Sequence, residues 1–314
     1  MKQMKYRSWL IVPGNADRLL ANSVGSGADV VIVDLEDSVP VELKRLARGN
    51  AAEWLSAHRQ NVLESRPTGR WVRINPMSTS LWREDLMAII PTAPDGILLP
   101  KADGPEAVRQ LAAELYEIEQ RCGVPANSTR IVPLVGESAL SAMTISAYLT
   151  SSHQRIAGLT WGAQDLAAAI SGTRNYRPGR GWGDVFSFVR AQTLLTAHAT
   201  GMMAIDTSFI DLEDGEGLAE AARDARCDGF AGMLAVHADQ VETINRAFTP
   251  SSEEIQEARD IVAAFEASPG IGSLPFKGRK IDKPHLRMAQ HMLGAAAAES
   301  GYTTGERTAI LRPA

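Results

Sequence analysis

Eight short apolar runs recur along the chain, at residues 8–12, 29–34, 71–75, 96–100, 131–135, 156–161, 202–206 and 232–236. Each is followed by a stretch long enough for a helix. The runs are apolar throughout rather than alternating, which is the signature of parallel strands buried on both faces. The intervening stretches, such as 105–121 and 185–198, have the spacing of amphipathic helices. Eight β-α units in succession predict the α/β class and a (β/α)8 TIM barrel. An open doubly wound sheet is the alternative. Against it, the first βα turn, Val12-Pro13-Gly14-Asn15, lacks the glycine spacing of a dinucleotide loop.

After the eighth run, Pro250-Ser251-Ser252-Glu253 reads as a helix start, with Ser251 or Ser252 as the cap. That helix is expected to run to about residue 267. A loop rich in Gly and Pro, 268–278, and a last helix, 284–299, follow. The expected division is a catalytic barrel at 1–267 and a C-terminal helical extension at 268–314, serving as a lid or an oligomer contact.

Composition narrows the function classes. Hydrophobic residues fill 45% of 314 positions, too many for a disordered chain and ample for a large core. A net charge of −5 without any run of Lys or Arg argues against a nucleic-acid partner. Residues 1–7 lead straight into the first run, and no apolar stretch reaches the length of a signal peptide or membrane span. The two cysteines, Cys122 and Cys227, share no CxxC motif, so neither a disulfide framework nor a zinc site is indicated. A cytoplasmic enzyme, away from membranes, is expected.

The candidate chemistry lies where the runs end. Glu137 and Asp165 each follow an apolar run, the position at which α/β proteins carry their active sites. Two carboxylates on successive strands can share one hard divalent cation, and Mg²⁺ fits best. Asp34, Glu36 and Asp37 close the second run. They read either as a capping turn or as groups supporting the metal ligands. Arg73 sits on a strand that must be buried, so it needs a partner: a substrate carboxylate, or an acid of the Asp34 cluster. Lys101, after the fourth run, suits electrostatic support or, less well beside a metal, a Schiff base. His237, after the eighth run, lines the site or is structural. Asp282, by its spacing alone, is an acid before a Pro-led helix.

At these residues the chain resembles the HpcH/HpaI aldolase and citrate lyase family, in the branch of the citrate lyase beta subunit and the malyl-CoA lyases. The similarity rests on Arg7-Ser8 through Pro13-Gly14, Asp34-Leu35-Glu36-Asp37-Ser38-Val39, Val72-Arg73-Ile74-Asn75, Gly96 through Lys101, Gly162-Ala163-Gln164-Asp165-Leu166, Ala204-Ile205-Asp206-Thr207 and Ile281-Asp282-Lys283-Pro284-His285, in this order. The resemblance implies a (β/α)8 barrel and Mg²⁺-dependent making or breaking of a carbon–carbon bond beside an acyl thioester. Glu137 and Asp165 would bind Mg²⁺, with Glu137 also at the substrate. Arg73 would hold the 2-oxo acid, and Arg7 a coenzyme A phosphate. Asp34, Glu36, Asp37 and Lys101 would support them. Asp282 would be the acid/base, supplied by a neighbouring subunit of a homotrimer or hexamer.

The expected reaction is cleavage of malyl-CoA, citramalyl-CoA or a close homologue into an acyl-CoA and a 2-oxo acid. Alternatives are a citrate lyase beta subunit acting on citryl-acyl carrier protein, a malyl-CoA thioesterase, and a binding relative without turnover. Two departures from the family pattern bear on the substrate. The family's Glu-Thr-Ala-Arg-Gly reads Glu137-Ser138-Ala139-Leu140-Ser141 here, and its His-Pro reads His237-Ala238.

Overall fold

The computed structural model describes residues 6–58, 68–151, 153–173, 176, 179 and 181–300. Residues 1–5, and 301–314 of the expected extension, lie outside the described residues. The eight runs form eight parallel strands: β1 (Ser8–Pro13), β2 (Val30–Asp34), β3 (Gly69–Arg73), β4 (Gly96–Leu99), β5 (Arg130–Val135), β6 (Gly158–Trp161), β7 (Met203–Asp206) and β8 (Gly232–Ala235). Each pairs with the next, and β8 pairs with β1, so the barrel closes. Closure leaves no sheet edge unpaired.

Strand parity decides which side chains enter the barrel. Trp9, Val30, Ile32, Trp71, Leu98, Val132, Leu134, Ile205 and Leu234 form the interior cluster. Their neighbours Leu10, Val31, Val33, Val72, Ile97, Leu99 and Ile131 pack in the layer beneath the helices. Because side chains alternate along a strand, Asp34 shares the inward face with Val30 and Ile32, and Arg73 shares it with Trp71. The register sets Asp34 directly opposite Arg73. Two charged groups thus enter the barrel side by side at its C-terminal end.

The N-terminal end is filled by aromatics. Trp9 and Trp71 meet edge to face with centroids 5.0 Å apart, and Tyr6 stacks on Trp9 at 5.8 Å. Gly96 makes this packing fit, since a Cβ there would lie 2.4 Å from the Trp71 ring. No helix of the described residues is long and apolar enough to cross a membrane.

The chain divides into two compact units between Phe248 and Thr249, earlier than the expected boundary at 267/268. The helix Ser252–Glu266 therefore goes with the C-terminal unit. It packs Ala258, Ile261 and Phe265 with Ile281 and Ala289 in a separate small core. Ser251 caps this helix in a reciprocal box with Glu254. The stretch 268–278 is not wholly loop: β9 (Ser273–Phe276) pairs antiparallel with β10 (Arg279–Asp282). Lys277 and Gly278 turn between them, both at positive φ (46° and 79°), as a two-residue hairpin turn requires. The Gly and Pro content hid this hairpin because both residue types also mark loops. The last helix, Lys283–Ser300, follows β10 without a break.

Gly96→Ala is expected to cost about 1–3 kcal/mol by overpacking the barrel floor. The readout is a lower urea midpoint at unchanged slope; a wild-type midpoint would mean that the Trp71 ring gives way freely.

Candidate active site

Seven of the expected residues converge at the C-terminal ends of β2 to β6. Glu137 follows β5 by way of Gly136, whose φ of 70° turns the chain out of the strand. Ser138 then caps the helix Ala139–Thr144 through Ser141, which fixes the turn. Glu137 is 4% exposed. Its Oε2 accepts from the main-chain N–H of Lys101, while its Oε1 is buried without a partner. Gly162 leaves it room, since a Cβ there would lie 2.4 Å from the Glu137 Cγ. Asp165 stands in the first turn of the helix Ala163–Ala169 and lines the central cavity half-buried. Burial, and then the nearby charge of Asp165, push the Glu137 carboxyl well above its ordinary range. A cation between the two would remove that conflict.

The cluster after β2 divides its work. Asp34 is fully buried and accepts from Nε and Nη2 of Arg73, each at 2.6 Å. It also accepts from the Ser38 hydroxyl and from the Glu36 N–H at 2.9 Å. Burial works to raise its pKa, but the charge and hydrogen bonds of Arg73 outweigh it and hold the carboxyl below the usual range. Asp34 is therefore the partner that orients Arg73. Of the two alternatives for Arg73, the ion pair with the Asp34 cluster is present. A forked donor with its Nε edge on Asp34 still has N–H groups left, and Arg73 lines the cavity.

Glu36, 1% exposed, lies between the two cations of the site. Its Oε1 accepts from the Lys101 ammonium at 2.7 Å. Its Oε2 lies 3.1 Å from Arg73 Nη1, an ion-pair distance without hydrogen-bond alignment. Asp37 is exposed and takes a second contact from Lys101 at 3.0 Å. The buried Lys44 ammonium donates to the Leu35 and Glu36 carbonyls at 2.6 and 2.7 Å, which stiffens the acidic turn. Lys101 is held as an ammonium: despite burial, the bonds from Glu36 and Asp37 raise its pKa. A Schiff-base lysine needs the opposite shift, so that role is not supported.

The cavity holds about 280 Å³. Its floor and walls include Ile11, Leu98, Leu134 and Leu234, and among the described residues Arg73 is the single cation lining it. Among the described residues, Asp34, Glu36, Asp37, Glu137 and Asp165 bring five carboxylates to this end, beside the cations Arg73 and Lys101. Among the described residues no cluster of three or more His, Cys, Asp or Glu forms a closed metal cage. A two-carboxylate site with open positions is what Mg²⁺ accepts, since it keeps water and substrate oxygens. The unpartnered Glu137 Oε1 fits that ion.

Arg7 departs from its expected role. It precedes β1, at the end of the barrel opposite the cavity, and Asp29 takes its Nε at 2.8 Å and its Nη2 at 3.1 Å. It serves the N-terminal rim as an ion pair with Asp29. His237 is exposed, 3.4 Å from Asp239, and is not a lining residue. Leu140 is 65% exposed. Asp282 ends β10 in the C-terminal unit, half-exposed, with His285 Nδ1 at 2.6 Å. That contact holds its carboxyl below the ordinary value.

One arrangement was absent from the sequence reading. The lining residue Trp161 donates its indole N–H to the buried Asp206 at 2.7 Å, and Arg190 pairs with Asp206 at 2.8 Å. The available signal was Asp206 itself, an acid closing an apolar strand as Asp34 does.

Comparison with known proteins follows this geometry. The pattern of the HpcH/HpaI aldolase/citrate lyase family matches residues 7–238. A citrate lyase subunit beta-like protein of Mycobacterium tuberculosis is 34% identical over 288 residues, covering 92% of this chain and 94% of that one. The mitochondrial citramalyl-CoA lyase of Mus musculus is 29% identical over 310 residues, covering 95% and 88%. Among solved structures, the protein CitE of Mycobacterium tuberculosis in complex with magnesium, acetoacetate and coenzyme A superposes with a TM-score of 0.74 at 31% identity. It covers 95% of this chain and 100% of that one.

The Asp34 pair makes a pH prediction. A carboxylate with a lowered folded pKa contributes stability that is present above its unfolded value of about 3.9 and lost as pH falls through the folded one. Asp34→Asn is expected to cost about 3–5 kcal/mol at pH 7, because Arg73 is left buried and under-partnered. Its stability should then fall less steeply than wild type below about pH 4. Parallel acid limbs in urea unfolding would show that Asp34 is not the titrating partner.

Proposed function

The chain belongs to the HpcH/HpaI aldolase/citrate lyase family, and we propose that it is a Mg²⁺-dependent carbon–carbon lyase. Its substrate would be a β-hydroxyacyl-CoA of the malyl- or citramalyl-CoA kind, split into an acyl-CoA and a 2-oxo acid. The observation that carries this reading is the buried, unpartnered Glu137 Oε1 beside Asp165, with the charged Arg73 lining the same cavity. Mg²⁺ held by Glu137 and Asp165 supplies Lewis acidity to the substrate hydroxyl and carboxylate oxygens.

The bond changes are those of a retro-aldol step. The hydroxyl proton passes to solvent water, the carbinol carbon becomes the oxo-acid carbonyl, and the electron pair of the broken C–C bond passes to the thioester as an enolate. Arg73, with its Nε edge fixed by Asp34, holds the oxo-acid carboxylate with its remaining donors. A proton must then reach the enolate carbon. Asp282 is the proposed donor, contributed by a second copy of the chain in a homotrimer or hexamer. In the present arrangement its carboxyl is held low by His285, so the proposal requires burial to raise it in the assembled site.

The cavity supports a monocarboxylic oxo acid. Among the described residues Arg73 is the single lining cation, and the floor is apolar. Glyoxylate or pyruvate meets both conditions, whereas oxaloacetate brings a second carboxylate for which no second lining cation stands among the described residues. That favours coenzyme A esters over citryl-acyl carrier protein. A cytoplasmic setting remains part of the proposal.

The test incubates the protein and Mg²⁺ with malyl-, citramalyl-, β-methylmalyl- and citryl-CoA, following 2-oxo acid and free thiol separately. Oxo acid without free thiol is expected from one of the first three, and chelation of Mg²⁺ should abolish it. Free thiol without oxo acid would make the protein a thioesterase instead. Asp282→Asn should fold and bind Mg²⁺ like wild type but lose activity by about 10²-fold or more; wild-type turnover would remove Asp282 from the reaction.

A further inference from the structure

Lys101 touches the site twice, once through its main chain and once through its ammonium. We propose that Lys101 is a positioning residue that aims the metal ligand Glu137, its side chain acting as a latch that keeps its own peptide in place. The inference rests on the proposed metal site and adds a residue through which that site is set.

The backbone carries the first part of the argument. Lys101 has φ of 50°, in the left-handed region that a lysine enters only when its surroundings hold it there. Its N–H is the donor to Glu137 Oε2, which leaves Oε1 unpartnered. The chain is pinned on both sides. Before Lys101 lies β4 and then Pro100, whose ring fixes its own φ. After it, the Ala102 N–H donates to the Leu134 carbonyl at 3.4 Å. With both flanks fixed, φ at Lys101 can relax only by turning the planar Pro100–Lys101 peptide. That peptide carries the N–H that holds Glu137.

The side chain carries the second part. The Lys101 ammonium reaches from the end of β4 to the turn after β2, at 2.7 Å from Glu36 Oε1 and 3.0 Å from Asp37 Oδ2. Glu36 is almost fully buried and fixed in a turn that Lys44 stiffens. The anchor is therefore rigid, and a tether to it opposes the peptide turn. Glu36 also lies against Arg73 Nη1, so one latch keeps the metal ligand and the oxo-acid arginine in a fixed relation.

The test is Mn²⁺ binding to the full chain by titration calorimetry, with no substrate present. Lys101→Met, which keeps the side-chain length and loses the tether, is expected to weaken Mn²⁺ by about tenfold or more. Lys101→Arg should recover most of the affinity. Lys101→Gly is the decisive variant. It also lacks the charge, but glycine is at ease at positive φ, so it should lose clearly less than Lys101→Met. Equal losses in the Met and Gly variants would assign the effect to charge and overturn positioning through the peptide. So would wild-type affinity in Lys101→Met. Should the Met variant not fold, Asp37→Asn at the exposed end of the latch is expected to lose about two- to fivefold, and wild-type affinity there overturns the proposal. If Glu137→Gln binds Mn²⁺ as wild type does, the metal site itself is wrong, independently of Lys101.

Discussion

Everything at the mouth of this barrel answers to an excess of negative charge. Among the described residues, the carboxylates of Asp34, Glu36, Asp37, Glu137 and Asp165 stand beside the cations Arg73 and Lys101. Asp34, Glu36 and Glu137 are almost wholly removed from water, where an unpaired carboxylate is costly. The protein resolves part of the conflict internally. Asp34 is saturated by Arg73, Ser38 and a main-chain N–H, and Glu36 is tied to Lys101. What is left over is the Glu137 and Asp165 pair, where burial, and then the charge of Asp165, raises the pKa of Glu137. A buried carboxylate oxygen without a donor, beside a second carboxylate, is the arrangement on which the proposed divalent-cation site rests.

The barrel makes this arrangement affordable because its other end is an apolar plug. Trp9 and Trp71, with room provided by Gly96, fill the floor. The ion pairs of that end, Arg7 with Asp29 and Arg155 with Glu119, sit at strand starts and serve closure rather than chemistry. A small oxo acid in this cavity therefore meets charge on one side and hydrocarbon beneath it, and one lining cation suffices for one carboxylate.

Much of this was legible in the sequence, because uninterrupted apolar runs mark strands buried on both faces and strand ends mark sites. Glu137, Asp165 and Arg73 stand out that way as strand-end residues. The Asp34–Arg73 pair could have been settled by parity: Val30, Ile32 and Asp34 alternate inward, as do Trp71 and Arg73. What stayed hidden depends on three-dimensional contact. The main-chain N–H of Lys101 on Glu137 has no sequence signature. Nor does the need for glycine at 162, which arises from the Glu137 side chain. The β9–β10 hairpin was read as loop because Lys277-Gly278 lies among other Gly and Pro residues.

The most direct test of the central claim is anomalous scattering from crystals of the protein soaked with Mn²⁺ and pyruvate. The account predicts one peak between Glu137 and Asp165, about 2.0–2.3 Å from an oxygen of each, with the pyruvate carboxylate within hydrogen-bond reach of Arg73. A peak at the Asp34–Glu36–Asp37 turn, or none at Glu137, would contradict it.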